Sequence, residues 1–237
     1  MIVEAIEKIL DLVEVQKILI GGRSYTNRNV FPIREPEPGT FSLHTLNGFM
    51  DYIKTNVDVL PYDKLLVHVY DPQNVFLVSS LRGPFLQRIK YVQAEHDFKA
   101  FEFGYFMPVE SFIVALQTQF VQDEVTASIL KLVGNLKDED VRTLEDDEVT
   151  QNVTARTSIA RVGNVDVPNP VTLRPYRTFR EIEQPASKFV FRLKKGTELP
   201  QCALFEAEGD LWKLTAINSI RNFLQKEMEG INIAIIA

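Results

Sequence analysis

Three arginines and two aromatic rings are packed into residues 167–181, Val167-Pro168-Asn169-Pro170-Val171-Thr172-Leu173-Arg174-Pro175-Tyr176-Arg177-Thr178-Phe179-Arg180-Glu181. A guanidinium fork suits phosphate oxygens and an aromatic face stacks on a base, so this stretch has the groups to grip a nucleotide or a single strand. Prolines at 168, 170, 175 and 185 stiffen it and lower the cost of ordering it on a partner. Arg174, Tyr176, Arg177 and Arg180 are the expected ligand contacts. The competing expectation is an extended segment whose rings pack in the core and whose arginines pair with acids of the same chain.

Other chemistry has weaker support. Glu206 and Glu208 lie two apart, which on a strand puts both carboxylates on one face. With Lys213 nearby they are candidates for a metal site of nuclease type, against the commoner fate of exposed hairpin acids. The acids Glu145-Asp146-Asp147-Glu148 lack calcium-loop spacing and its glycine, and read as a solvated turn. His44, His68 and His96 show no ligand spacing and are expected to be structural. There is no phosphate loop, dinucleotide fingerprint or nucleophile elbow. No catalytic residue and no cofactor is therefore assigned, and a non-enzymatic role is favoured.

The chain has 237 residues, 45% hydrophobic and 24% charged, enough for one large domain or two small ones. Cys202 is the single cysteine, so no intrachain disulfide can form, which fits a reducing compartment. The net charge of −6 disfavours non-specific nucleic-acid binding, although a local basic patch could still act. No apolar run reaches the roughly 20 residues that span a bilayer, and the first residues lack a signal-peptide pattern. A cytoplasmic protein without a membrane partner is expected.

The elements that must position these residues follow from periodicity. Ile2, Ile6, Ile9, Leu10 and Val13 predict an amphipathic helix over 2–13, and the proline-punctuated residues 23–39 predict a loop or arm. Leu46, Phe49, Met50 and Ile53 predict a second helix capped by Thr45 or Ser42 and ending near Asp58. Leu65–Tyr70 and Val75–Leu81 flank Asp71-Pro72-Gln73-Asn74 and predict a hairpin. Arg88–Glu95 and Ala100–Met107 predict further strands of an antiparallel meander. Helices are expected from Pro108 to about Phe120 and from Glu124 to Val133, with Gly134 as a stop. The acidic run at 137–148 suggests a boundary between residues 1–145 and 146–237, with one continuous domain as the other arrangement.

The second part is β-rich. Val149–Ala160 and Phe189–Leu193 read as strands, and Ala203–Ala207 with Leu211–Leu214 as a second hairpin around Glu208-Gly209-Asp210. A closing helix is expected over Ala216–Met228. The tail Ile231–Ala237 reads as a last strand that completes its own sheet, or that adds to a neighbour's edge and makes a homo-oligomer. The predicted class is α+β: antiparallel sheet with several packed amphipathic helices and a β-rich C-terminal half.

Asp146-Asp147-Glu148-Val149-Thr150-Gln151, Val167-Pro168-Asn169-Pro170-Val171, Pro175-Tyr176-Arg177-Thr178-Phe179 with Glu181 and Gln184-Pro185, and Ala203-Leu204-Phe205-Glu206-Ala207 with Trp212-Lys213 resemble the YfdQ-like family of phage and prophage proteins. Thr45-Leu46, Asp51-Tyr52-Ile53 and Leu116-Gln117 through Phe120 are similar to its Gram-positive phage branch. The resemblance covers most of the chain and is most specific over 146–213. It implies a phage gene product made inside a bacterial cell and brings no activity with it. The expectations are a binding protein that acts on a host protein or a small nucleotide, a nucleic-acid accessory protein, or a self-assembling structural oligomer.

Overall fold

The computed structural model describes residues 2–13, 15, 17–20, 23–26, 38–83, 86–135, 169–194 and 200–237. They fall into two compact units, Met1–Pro38 and Gly39–Ala237. The expected acidic boundary at 137–148, with the acids 145–148, and the expected strand 149–160 lie outside the described residues.

The first unit holds helix α1 (Ile2–Val13) and strands β1 (Lys17–Ile20) and β2 (Arg23–Thr26). The strands pair antiparallel with Ile20 opposite Arg23. A strand thus occupies the start of the expected 23–39 arm. Two residues, Gly21-Gly22, separate the strands, and a Gly-Gly pair between short β-prone runs is a hairpin signal.

The second unit is α+β, and its described residues form two sheets and two hydrophobic cores. Strand β3 (Phe41–Leu43) leads into α2 (Leu46–Thr55), where the Thr45 hydroxyl accepts the Gly48 N–H at 3.0 Å. The predicted stripe Leu46, Phe49, Met50 and Ile53 is fully buried. Asn56 ends the helix in the left-handed region, which asparagine tolerates. A 3-10 turn (Tyr62–Lys64) precedes β4 (Leu65–Asp71) and β5 (Asn74–Ser79), the predicted hairpin. The Asp71 carboxylate accepts the Gln73 N–H at 2.7 Å and the Asn74 amide at 3.0 Å, so the turn is closed by its own side chain. Strand β6 (Lys90–Glu95) continues the meander.

Ala100–Met107 forms no long strand; only β7 (Met107–Pro108) enters a ladder. Gly104 takes φ +80, and Phe101 and Phe103 turn their rings into the second core, 4.9 Å apart. Pro108 sits at the N-cap position of α3 (Val109–Gln119), just ahead of its first turn. Helix α4 (Glu124–Gly134) is capped by Asp123, whose carboxylate accepts the Thr126 N–H at 2.9 Å. Strands β8 (Val171–Leu173), β9 (Ser187–Lys194) and β10 (Gln201–Glu206) follow.

The second expected hairpin does not form, because Leu211–Leu214 opens helix α5 (Leu211–Glu227). Gly209 and Asp210 both adopt positive φ and break the strand after β10. Trp212 starts a stripe at four-residue steps that runs through the buried Ala216, Ile220 and Leu224. Strand β11 (Ala234–Ile236) pairs parallel with β4, so the tail completes its own sheet.

The sheet orders are β11-β4-β5-β6-β3 and β7-β10-β9-β8. Both draw strands from either side of residue 145. The first core joins Val67, Val69, Val75, Leu77 and Val92 to α2 and α5, whereas the second joins Phe189, Phe191 and Leu204 to α3 and α4. No described helix is long and apolar enough to cross a membrane.

Cys202 is fully buried in the second core, and burial pushes its thiol pKa up to about 12. It should therefore stay unmodified by a thiol reagent at pH 8 in the folded protein and react at least about 100-fold faster in denaturant. Comparable rates in both states would contradict the packing described here.

Candidate functional site

Residues 174–187 run between the two cores. Leu173 and Phe189 belong to the second core and Phe179 to the first. On one side the segment is tied to the end of α3 and the connector behind it. The Tyr176 N–H donates to the Gln119 carbonyl at 2.8 Å, and the Val121 N–H to the Arg174 carbonyl at 2.9 Å. On the other side the Thr178 hydroxyl donates to the Pro72 carbonyl in the β4–β5 turn at 2.5 Å.

A single side chain fixes the middle of this segment. The Gln184 amide oxygen accepts the N–H groups of Arg177 at 3.0 Å and Thr178 at 3.3 Å. Its amide nitrogen donates to the carbonyls of Thr178 at 3.3 Å and Phe179 at 3.0 Å. All of these groups are buried, where an unmade hydrogen bond is costly.

The four expected contact residues separate into two pairs. Arg174 bonds Asp123 at 3.2 Å and Glu183 at 3.1 Å. Arg177 is only 4% exposed; it donates to Glu206 at 2.6 Å and to the Ser187 hydroxyl, and lies 4.0 Å from the centre of the Trp212 ring. Burial pushes the Arg177 pKa down to about 10 against the opposing pull of Glu206. These two arginines are structural cations.

Tyr176 and Arg180 lie elsewhere. The Arg180 guanidinium rests 3.5 Å above the Tyr176 ring and makes no ion pair with any described residue. Both line a cleft of about 920 Å³. One wall is the outer face of α3, including Glu110, Ser111 and Gln119. The loop after β6 supplies His96, Asp97, Phe98 and Lys99, and His44 and Thr45 contribute from the start of α2. Glu181 closes the rim while its carboxylate accepts the Asn47 N–H at 3.1 Å.

Two of the lining side chains carry an unmet polar atom. His96 Nε2 and Gln119 Oε1 are buried with no hydrogen-bond partner among the described residues, as are Arg177 Nε and Trp212 Nε1 away from the cleft. The His96 ring stacks on Phe98 at 5.3 Å and leans on Phe179 at 5.6 Å. Its pKa is lowered, first by burial and then by Arg180, with Glu181 and Asp97 pulling the other way. Both side chains line the cleft, and these two atoms themselves are closed to solvent.

Sequence reasoning treated His44 and His96 as structural, yet both line the cleft, and it passed over Gln119 entirely. None of the three carries a spacing signal, because the cleft is assembled from four distant stretches of chain. Glu206 and Glu208 do not form a paired carboxylate site. Glu206 ends β10 against Arg177; Glu208 lies in the turn beyond, where it accepts the Lys188 N–H at 3.1 Å and pairs with Lys188 Nζ at 3.2 Å. Lys213 pairs with Asp210 at 2.8 Å. Among the described residues no group of three or more His, Cys, Asp or Glu is placed to hold a metal.

Gln184→Leu keeps the bulk and strips four backbone groups of their partner, so it should lower the unfolding free energy by roughly 3–5 kcal/mol in urea titrations. A change below about 1 kcal/mol would show that the segment is held by other means. The depressed His96 pKa also makes stability depend on pH. The unfolded chain takes up this proton below about pH 6.5 and the folded chain only at lower pH, so stability falls as pH drops through that window. His96→Gln should remove that part of the slope in paired melts at pH 7.5 and 5.5.

No protein-family profile, curated protein or solved structure matches this chain.

Proposed function

We propose that this chain is a non-enzymatic binding protein of a phage or prophage, acting in the bacterial host cell, whose cleft captures a small nucleotide. The reading rests on one observation: the Arg180 guanidinium, stacked on Tyr176 and in no ion pair with any described residue, lines a cleft that also holds Lys99 and Phe98. A cleft of about 920 Å³ lies within the roughly 300–1,000 Å³ range of small-ligand sites.

The groups present match the parts of a nucleotide. Arg180 and Lys99 offer charge to a phosphate, and Phe98 and Tyr176 offer ring surface to a base. His96 and Gln119 are polar side chains of the lining. Capture is favoured over catalysis because no hydroxyl in the cleft is hydrogen-bonded to the His96 ring among the described residues. The resemblance to YfdQ-like proteins supports the phage setting, and with it a host-cell ligand. Use of the 174–180 stretch as a nucleic-acid patch loses ground, since Arg174 and Arg177 are already engaged by carboxylates.

Calorimetry and thermal-shift measurements with a panel of ribonucleotides test the reading. At least one should bind with a micromolar dissociation constant, and at 100 times that concentration should stabilise the fold by about 2.7 kcal/mol. Arg180→Ala should weaken binding at least about tenfold, with the unfolding midpoint unchanged. If no nucleotide binds, while a host protein is retained from lysate and lost with Arg180→Ala, the cleft serves a protein partner instead.

A further inference from the structure

A second open surface lies on the side of the β7-β10-β9-β8 sheet that faces away from α3 and α4. Side chains alternate across a strand, and β9 follows the rule. Ser187, Phe189 and Phe191 are buried on one side, whereas Lys188, Val190, Arg192 and Lys194 stand on the other. Across the ladder Lys188 lies opposite Thr172 of β8, Val190 opposite Phe205, Arg192 opposite Ala203 and Lys194 opposite Gln201. The Phe205 ring is half-buried and meets the Phe106 ring at 6.0 Å. Lys194 Nζ rests 4.3 Å from the centre of the Phe106 ring. Cations and aromatic rings thus share one sheet face.

The charge on this face is open. The Arg192 and Lys194 side chains make no ion pair or hydrogen bond with any described residue. Lys188 pairs with Glu208 at 3.2 Å, an exposed contact that contributes little and yields to a competing anion. Glu206, at the end of β10, is already engaged by Arg177.

We infer that this face is a platform for single-stranded nucleic acid, separate from the cleft. Such a ligand needs cations along its backbone and ring surface for its bases. The β9 row supplies the cations over about 20 Å from Lys188 to Lys194. Phe205 and Phe106 supply the rings. Bases of a duplex are already stacked on each other and cannot reach these rings, so the face favours a single strand. The net charge of −6 confines the attraction to this local patch and keeps the affinity moderate.

Fluorescence anisotropy with a labelled single strand of about 12 nucleotides, titrated at several salt concentrations, tests the inference. Binding should be micromolar at low salt and at least about tenfold tighter than to the matching duplex. Two to three phosphate contacts predict a slope of roughly −1.4 to −2.1 in the plot of log affinity against log salt. The double variant Arg192→Gln, Lys194→Gln should weaken binding at least about tenfold and flatten that slope, with the unfolding midpoint unchanged. Phe205→Leu should weaken binding to the single strand and leave the slope as it was. No binding at low salt overturns the inference. So does binding that survives the double variant, or duplex binding as tight as single-strand binding. Displacement of the strand by a mononucleotide that fills the cleft overturns it as well, and leaves nucleotide capture standing. A strand held through Arg192 and Lys194 by a protein that binds no mononucleotide supports this inference and removes only the reading of the cleft.

Discussion

The side-chain amide of Gln184 sets the geometry on which both cores and the cleft depend. It closes four hydrogen bonds onto buried backbone between Arg177 and Phe179, in a segment with no ladder of its own. An amide offers two donors and two acceptor sites, and here both ends are used. The consequence is directional. With residues 177–179 pinned, Phe179 points into the first core, Arg177 into the seam with β10 and α5, and Tyr176 and Arg180 toward the cleft.

Desolvation then sorts the arginines. A buried guanidinium needs a carboxylate close by, and Arg177 has Glu206 at 2.6 Å. Arg174 is partly exposed and bridges Asp123, the cap of α4, to Glu183. Asp123 is held below the usual carboxylate range: burial pulls it upward, but the Thr126 bonds and Arg174 outweigh that. Arg180 alone of the three stays in water, resting on a tyrosine ring, the arrangement by which a cation keeps its charge available to a ligand. One short stretch thus supplies two structural cations and one open cation.

The local parts of this fold were legible. The stripe Leu46, Phe49, Met50 and Ile53 gave a buried helix face, and Asp71-Pro72-Gln73-Asn74 gave its hairpin. The start of α5 was misread because Leu211-Trp212-Lys213-Leu214 looks β-like in isolation, and its helical period emerges only with Ala216 and Ile220. Short strands such as β3 and β8 are three residues long and leave too little pattern to see. The arginine-rich stretch marked the right segment. It could not show which arginine stays open, because that depends on Asp123 and Glu206, 51 and 29 residues away. His96 and Gln119 were unreadable for the same reason, since a buried atom without a partner is a property of the assembled fold.

The most direct test of the central claim is side-chain nitrogen NMR of the folded protein during titration with a nucleoside monophosphate. The His96 ring and the Arg180 guanidinium should shift together and saturate at one concentration, while the Arg174 and Arg177 signals stay fixed. Shifts confined to Arg174 or Arg177, or none at His96 and Arg180 under saturating ligand, would contradict the division between structural and open cations on which this account stands.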